Sequence, residues 1–208
     1  MTAITSEKTF ESYIEETLLE KSGWMQGDTG DWNKNRAIFK NQVIGFIQDT
    51  QIDLWNKMYK LHQDELEGKL IDALCKELDS KGTLHILRYG FKFHGKIFKL
   101  AYFKPAHGLN PDVLALYNKN RLTVTRQVQC HPNDNSTIDL LFAVNGLPIA
   151  TCELKNPMSG QSCKDAEDQY KYTRDPQAPL FAFKKRSLVH FAADPDEIRM
   201  TTRLAKGK

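Results

Sequence analysis

No apolar run in the 208 residues approaches the roughly 20 that a membrane-spanning helix requires, and mean hydropathy is −0.52. A membrane protein is excluded. Cysteine is scarce: Cys75, Cys130, Cys152 and Cys163 show no CxxC spacing, and a chain this long buries about 70% of its unfolded surface without covalent staples. Reduced thiols are expected. The six histidines are scattered, with neither HExxH nor a Cys/His cluster, which argues against structural zinc. The opening MTAITSEKTF is polar and acidic early, unlike a signal peptide or an Arg-rich transit peptide, so an intracellular protein is expected. Internal repeats and low-complexity linkers are absent too.

Acid is nearly missing from one segment. Residues 80–133 carry nine Lys/Arg against one Asp/Glu, whereas 1–79 carry nine against fifteen and 134–208 eleven against ten. The basic segment is also aromatic, with Tyr89, Phe91, Phe93, Phe98, Tyr102, Phe103 and Tyr117 among its cations. A stripe of this kind suits a polyanion, and Lys92, Lys96, Lys99 and Arg126 are its candidate phosphate contacts. Charge alone favours the plainer reading of a solvated sheet face whose aromatics are core.

Residues 7–22 place Phe10, Ile14 and Leu18 on one helical stripe with Gly23 at the stop and Glu7, Glu11, Glu15 and Glu20 outside. GDTGDWN reads as a loop, 35–62 as helix broken near Thr50, and 64–79 as helix with leucines at 66, 70, 74 and 78. After Gly82 the period becomes two, and strands are expected near 84–89, 91–94, 97–103, 121–128, 137–144, 148–154, 180–184 and 188–192. A helix is expected at 164–173, and the stretch after Asp194-Pro195 reads as a short turn or helix start. By element order the architecture is α+β: a helical region at about 7–79, then a sheet-rich core at about 80–205. The polar ending LAKGK is what a piece of a longer chain would show.

Gly90 to Lys96 fits GxxxxGK, but Ile97 stands where a phosphate loop needs Ser or Thr, and the intervening residues are bulky. His94-Gly95 is better read as a turn between strands. Nucleotide binding is rejected here.

The segment 137–157 is more informative. Two apolar strands flank Asn145-Gly146, a strong hairpin signal. Alternation puts Ile138, Leu140, Phe142 and Val144 on one face and Asp139 on the other, while Glu153 and Lys155 oppose Ala150, Cys152 and Leu154. Three charges on strands this apolar are costly unless paired. A structural ion pair of Lys155 with Glu153 or Asp139 is one account. The other is a hydrolytic metal site, in which a divalent cation relieves the repulsion of Asp139 and Glu153 and Lys155 acts on the attacking water. Register separates the two: a two-residue turn alone pairs Asp139 with Cys152, so the metal site demands a one-residue offset from a longer loop or a bulge.

D-x13-E-x-K at a hairpin resembles the PD-(D/E)xK nuclease core, although Ile138 stands where that pattern often has Pro. With VTRQVQ (124–129), IDLLFAVNGLPIATCELKNP (138–157), LVHFAADPDEIRMTTRLA (188–205) and the helix TFESYIEETLLEKSGW (9–24), nearly the whole chain resembles the N-terminal nuclease domain of the R subunit of type I restriction enzymes. The resemblance implies an α/β restriction-endonuclease-like core, a mixed central sheet flanked by helices. It implies a Mg²⁺-dependent endonuclease of double-stranded DNA, with Asp139 and Glu153 as metal ligands and Lys155 as catalytic lysine. A first-helix acid, Glu11 or Glu15, is the further candidate ligand; a solvated helix face is its plainer reading. Family members often add QxxxY. Here Gln169 is followed by Tyr170 and Tyr172, with Thr173 at the fourth position, and Gln169 with Tyr172 is the candidate support for Lys155. The implied partners are DNA, a following ATP-driven translocase region, and modification and specificity subunits in a prokaryotic cytoplasm. ATP itself is not expected to bind this segment. The weighed alternative is a non-catalytic DNA-binding or scaffold domain.

Overall fold

The computed structural model describes residues 6–107 and 110–205, so the first five residues of the polar start and the last three of the LAKGK tail lie outside it. Helix α1 (Glu7–Lys21) begins at a reciprocal cap: Thr9 N donates to Ser6 Oγ and Ser6 N to Thr9 Oγ1. It stops as expected, with Gly23 in the left-handed region and Trp24 N donating to Leu18 O. The GDTGDWN stretch holds β1 (Met25–Gln26) at its border and then a single 3-10 turn leading into β2 (Trp32–Asn33).

Strand β3 (Ile38–Phe39) leads into α2 (Lys40–Thr50), and α3 (Ile52–His62) follows after a break at Gln51. The break has a use. The Gln51 side chain accepts from Lys99 N and donates to Lys99 O, pinning the following loop. In α4 (Leu66–Lys81) the four leucines at a spacing of four are all buried. The run at 84–89, expected as a strand, is instead helix α5 (Thr83–Tyr89), bracketed by Gly82 and Gly90 at positive φ. So short a run is ambiguous in sequence, and its buried residues, Thr83, Ile86 and Leu87, fall at helical spacing.

Next come β4 (Phe91–Phe93) and β5 (Lys96–Phe98), an antiparallel pair around His94-Gly95, as the turn reading required. Residues 99–103, expected to prolong this strand, are irregular, and α6 (Pro111–Asn118) was not anticipated. The remaining elements are β6 (Leu122–Gln129), β7 (Thr137–Val144), β8 (Leu147–Leu154), α7 (Cys163–Tyr172), β9 (Val189–Ala193) and β10 (Ile198–Thr201). No strand forms at 180–184. Leu180 and Phe181 are buried beside α7 in a series of turns, so their apolar character serves packing rather than a ladder. Asp194 accepts from Cys163 N and so caps α7 from across the fold, and the turn it begins ends in β10.

A six-stranded mixed sheet runs β1-β6-β7-β8-β9-β10. Its β6, β7 and β8 are antiparallel neighbours, while β9 lies parallel to β8 with α7 as the crossover between them. Helix α1 packs Phe10, Ile14 and Leu18 against Val124, Leu140, Cys152 and Leu154. Helix α7 packs Cys163, Ala166 and Tyr170 against Val128, Ile138, Leu141 and Ala143. The third cluster joins α2 to α5 and the β4–β5 hairpin to Val144, Leu147 and Ile149, at the turn end of the β7–β8 hairpin. That turn is buried: Asn145 donates to Leu100 O and Asn120 Oδ1, and a Cβ on Gly146 would stand 2.6 Å from Phe39 O. The turn end is thus fixed, and the charged residues lie at the other end of the same two strands.

Candidate functional site

Val144 pairs with Leu147 and Ala143 with Pro148, the register of a two-residue turn. One step later Phe142 pairs with Ala150, leaving Ile149 as an extra residue, and Leu141 with Thr151 and Leu140 with Cys152 follow. This bulge supplies the one-residue offset. Continued by one position, the register sets Asp139 opposite Glu153.

The ladder's paired residues end there. Asp139 Oδ2 accepts from Leu154 N at 2.7 Å, and its Oδ1 accepts from the Gln127 side chain at 3.1 Å. The simple alternation expected for β7 fails at this point, because Ile138 packs with the α7 cluster and Leu140 and Phe142 with the α1 cluster. Asp139 is 7% exposed and meets only neutral donors among the described residues.

Glu153 is wholly buried. Its Oε1 accepts from Arg174 Nε at 2.6 Å and also pairs with Arg174 Nη2, while its Oε2 has no hydrogen-bond partner among the described residues. Burial pushes this carboxyl up to about 8, opposed by the Arg174 charge and reinforced by Asp139 nearby. Neither expected lysine pair forms: Lys155 Nζ lies 3.3 Å from Glu7 Oε2 of α1. Lys155 also lines an open cleft with Asp165, Gln169, Tyr172 and Arg174. The structure therefore brings Gln169 and Tyr172 to the lysine's side of the molecule. Tyr170 points inward instead, its hydroxyl 2.8 Å from Thr151 Oγ1.

Glu11 and Glu15 are not a solvated face. Both are buried, and both pair with Arg126, at 3.0 Å to Glu11 Oε1 and 3.3 Å to Glu15 Oε2. Gln127 joins them to the strands, donating to Glu11 Oε1 at 3.3 Å as well as to Asp139. Arg126 thus belongs to the α1 contact. Lys92 and Lys96 are exposed on the β4–β5 hairpin, in the layer at the turn end of β7–β8, and Lys99 is tied to Gln51 through its backbone. The structure does not set these three lysines beside Asp139. Phe91, Phe93 and Phe98 are core, as the plainer reading of the basic segment held, but Tyr89 and Phe103 of the same segment are exposed.

Among the described residues no group of three or more His, Cys, Asp and Glu side chains is arranged to hold a metal ion. A smaller donor set does fit one. Arg174 balances the Glu153 charge but leaves its Oε2 without a partner, and Asp139 meets only neutral donors among the described residues; hard oxygen donors of this kind suit a divalent ion that keeps several of its waters.

The profile described as Type I restriction enzyme R protein N terminus matches residues 4–208. The chain belongs to this family. It is the N-terminal domain of a type I restriction enzyme R subunit, from a family of endonucleases of the prokaryotic restriction systems. A search of curated proteins returns no match. Membership implies DNA and the other subunits of the system as partners, and the mixed sheet with flanking helices is consistent with a restriction-endonuclease-like core. No helix among the described residues is long and apolar enough to cross a membrane.

Three residues of this R-subunit domain escaped sequence reading. Arg174, Gln127 and Glu7 contact Glu153, Asp139 and Lys155 respectively. Arg174 follows the altered QxxxY stretch by one residue, which was its only signal. Nothing in the periodicity marks Gln127, and it marks Glu7 only as part of the acidic outer face of the first helix.

Proposed function

We propose that this domain is the Mg²⁺-dependent endonuclease of the R subunit, hydrolysing phosphodiester bonds of double-stranded DNA. The observation that carries the reading is the bulge at Ile149, whose offset, continued one step past the Leu140–Cys152 pair, sets Asp139 opposite Glu153, with Lys155 two residues on. Asp139 and Glu153 would hold the ion, which polarises a phosphoryl oxygen and lowers the pKa of a bound water. The chain's own contribution is positional. Leu154 N and Gln127 fix the Asp139 carboxylate, and Arg174 fixes one oxygen of Glu153 and leaves the other. Lys155, on the open cleft, positions the attacking water or balances charge at phosphorus, with Gln169 and Tyr172 supporting it or holding a DNA phosphate. Glu11 and Glu15 would extend the acidic side of the site. Lys92, Lys96 and Lys99 would meet the duplex farther out, and translocation with ATP hydrolysis would belong to a following region.

A second reading has its own support. Glu153 is sealed and bound to Arg174, which is what a purely structural ion pair in a scaffold or DNA-binding domain would show. Glu153→Gln in the full-length subunit, assembled with its partner subunits, distinguishes the two. Loss of DNA cleavage with unimpaired assembly and ATP hydrolysis supports the nuclease, and undiminished cleavage supports the scaffold.

A further inference from the structure

Gln127 has φ +50°, in the left-handed region, in the middle of an eight-residue strand. Such a conformation is uncommon for a residue other than glycine, and glutamine lacks the short polar side chain that lets Asn or Asp adopt it. Burial of its side chain does not impose it, because the residue is exposed. The consequence for the sheet is specific. Arg126 and Leu140 pair on the α1 side, where Arg126 meets Glu11 and Leu140 meets the α1 cluster, whereas the next pair, Val128 and Ile138, packs with α7. A regular ladder would keep both pairs on one face. The pair of strands rotates between them, at Gln127 and Asp139.

Glycine would make the same rotation without strain. What a glycine would lack is the amide, which donates to Asp139 Oδ1 at 3.1 Å and Glu11 Oε1 at 3.3 Å and accepts from Thr137 Oγ1 at 2.9 Å. We infer that Gln127 is a positioning residue, kept in a strained backbone because its side chain aims the Asp139 carboxylate and ties it to the first helix. This rests on the reading of Asp139 as a metal ligand. Neighbours that orient ligating carboxylates commonly matter by about 10- to 100-fold in metal affinity or activity.

The test uses the full-length, nucleotide-free subunit and Mn²⁺ alone, titrated calorimetrically, with Tm measured on the same samples. Gln127→Gly removes both amide and strain, and Gln127→Met removes the amide while keeping length and strain. Mn²⁺ affinity is expected to fall about tenfold or more in both, with Tm at or above the parent's in Gln127→Gly and not above it in Gln127→Met. A merely structural residue would not lose affinity while stability moves differently in the two variants. Unchanged Mn²⁺ affinity in either variant, or a lower Tm in Gln127→Gly, overturns the inference. Asp139→Asn is run in parallel. If it weakens Mn²⁺ binding while the Gln127 variants do not, only the role of Gln127 falls; if it binds Mn²⁺ like the parent, the assignment of Asp139 falls first.

Discussion

The amide nitrogen of Leu154 donates to Oδ2 of Asp139 at 2.7 Å, so a carboxylate completes the hydrogen bonding of β8 where the β7–β8 ladder stops. Asp139 therefore has a structural task besides the chemical one proposed for it. Asp139→Asn keeps an acceptor and is expected to fold with stability close to the parent's while losing cleavage. Asp139→Ala strands a buried N–H and should cost about 1–3 kcal/mol in urea unfolding. Equal stability of the two variants would remove the structural task.

His190 sets a pH dependence of stability. It lies buried with Nδ1 2.8 Å from Thr151 Oγ1, and burial pushes its pKa from 6.5 down to about 4. The folded chain thus binds this proton more weakly than the unfolded chain. Its contribution is complete above pH 6.5 and is lost as pH falls toward 4, amounting to about 3 kcal/mol for a shift of that size. His190→Asn should flatten the denaturation midpoint across this window. An identical pH profile in the variant would contradict the assignment.

Much of this arrangement was legible in the sequence. The leucines of α4 and the Asn145-Gly146 turn give local, repeated signals, and the apolar strands 137–144 and 148–154 fall within one residue of β7 and β8. The need for an offset between Asp139 and Glu153 was legible too, but not its place, because a bulge at Ile149 leaves no mark on an apolar strand. Arg174 and Gln127 were hidden for a different reason. Each acts on a residue 21 or 12 positions away through tertiary contact, where no period relates them. The strand expected at 84–89 failed because a six-residue run is too short to distinguish helix from strand.

Arg174 should behave as the anchor of a buried pair. Arg174→Met leaves Glu153 charged or forces it neutral without its partner, a loss of about 3–5 kcal/mol. The double variant Arg174→Met with Glu153→Leu should recover most of that loss, read by equilibrium unfolding. Strictly additive losses would show that the two side chains are not coupled.

For the basic hairpin the expectation concerns affinity rather than chemistry. Replacing Lys92 and Lys96 by Ala should weaken duplex binding and reduce the slope of log affinity against log salt by roughly 2, because each lysine removed leaves one phosphate with its counterions. An unaltered salt slope would place the DNA elsewhere.

The central claim is that residues 139, 153 and 155 form one hydrolytic site. Its most direct measurement is double-strand cleavage by the fully assembled enzyme carrying Lys155→Ala, with ATP hydrolysis followed in the same reaction. Cleavage should disappear while ATP hydrolysis continues at the parent rate. Cleavage at the parent rate would contradict the claim.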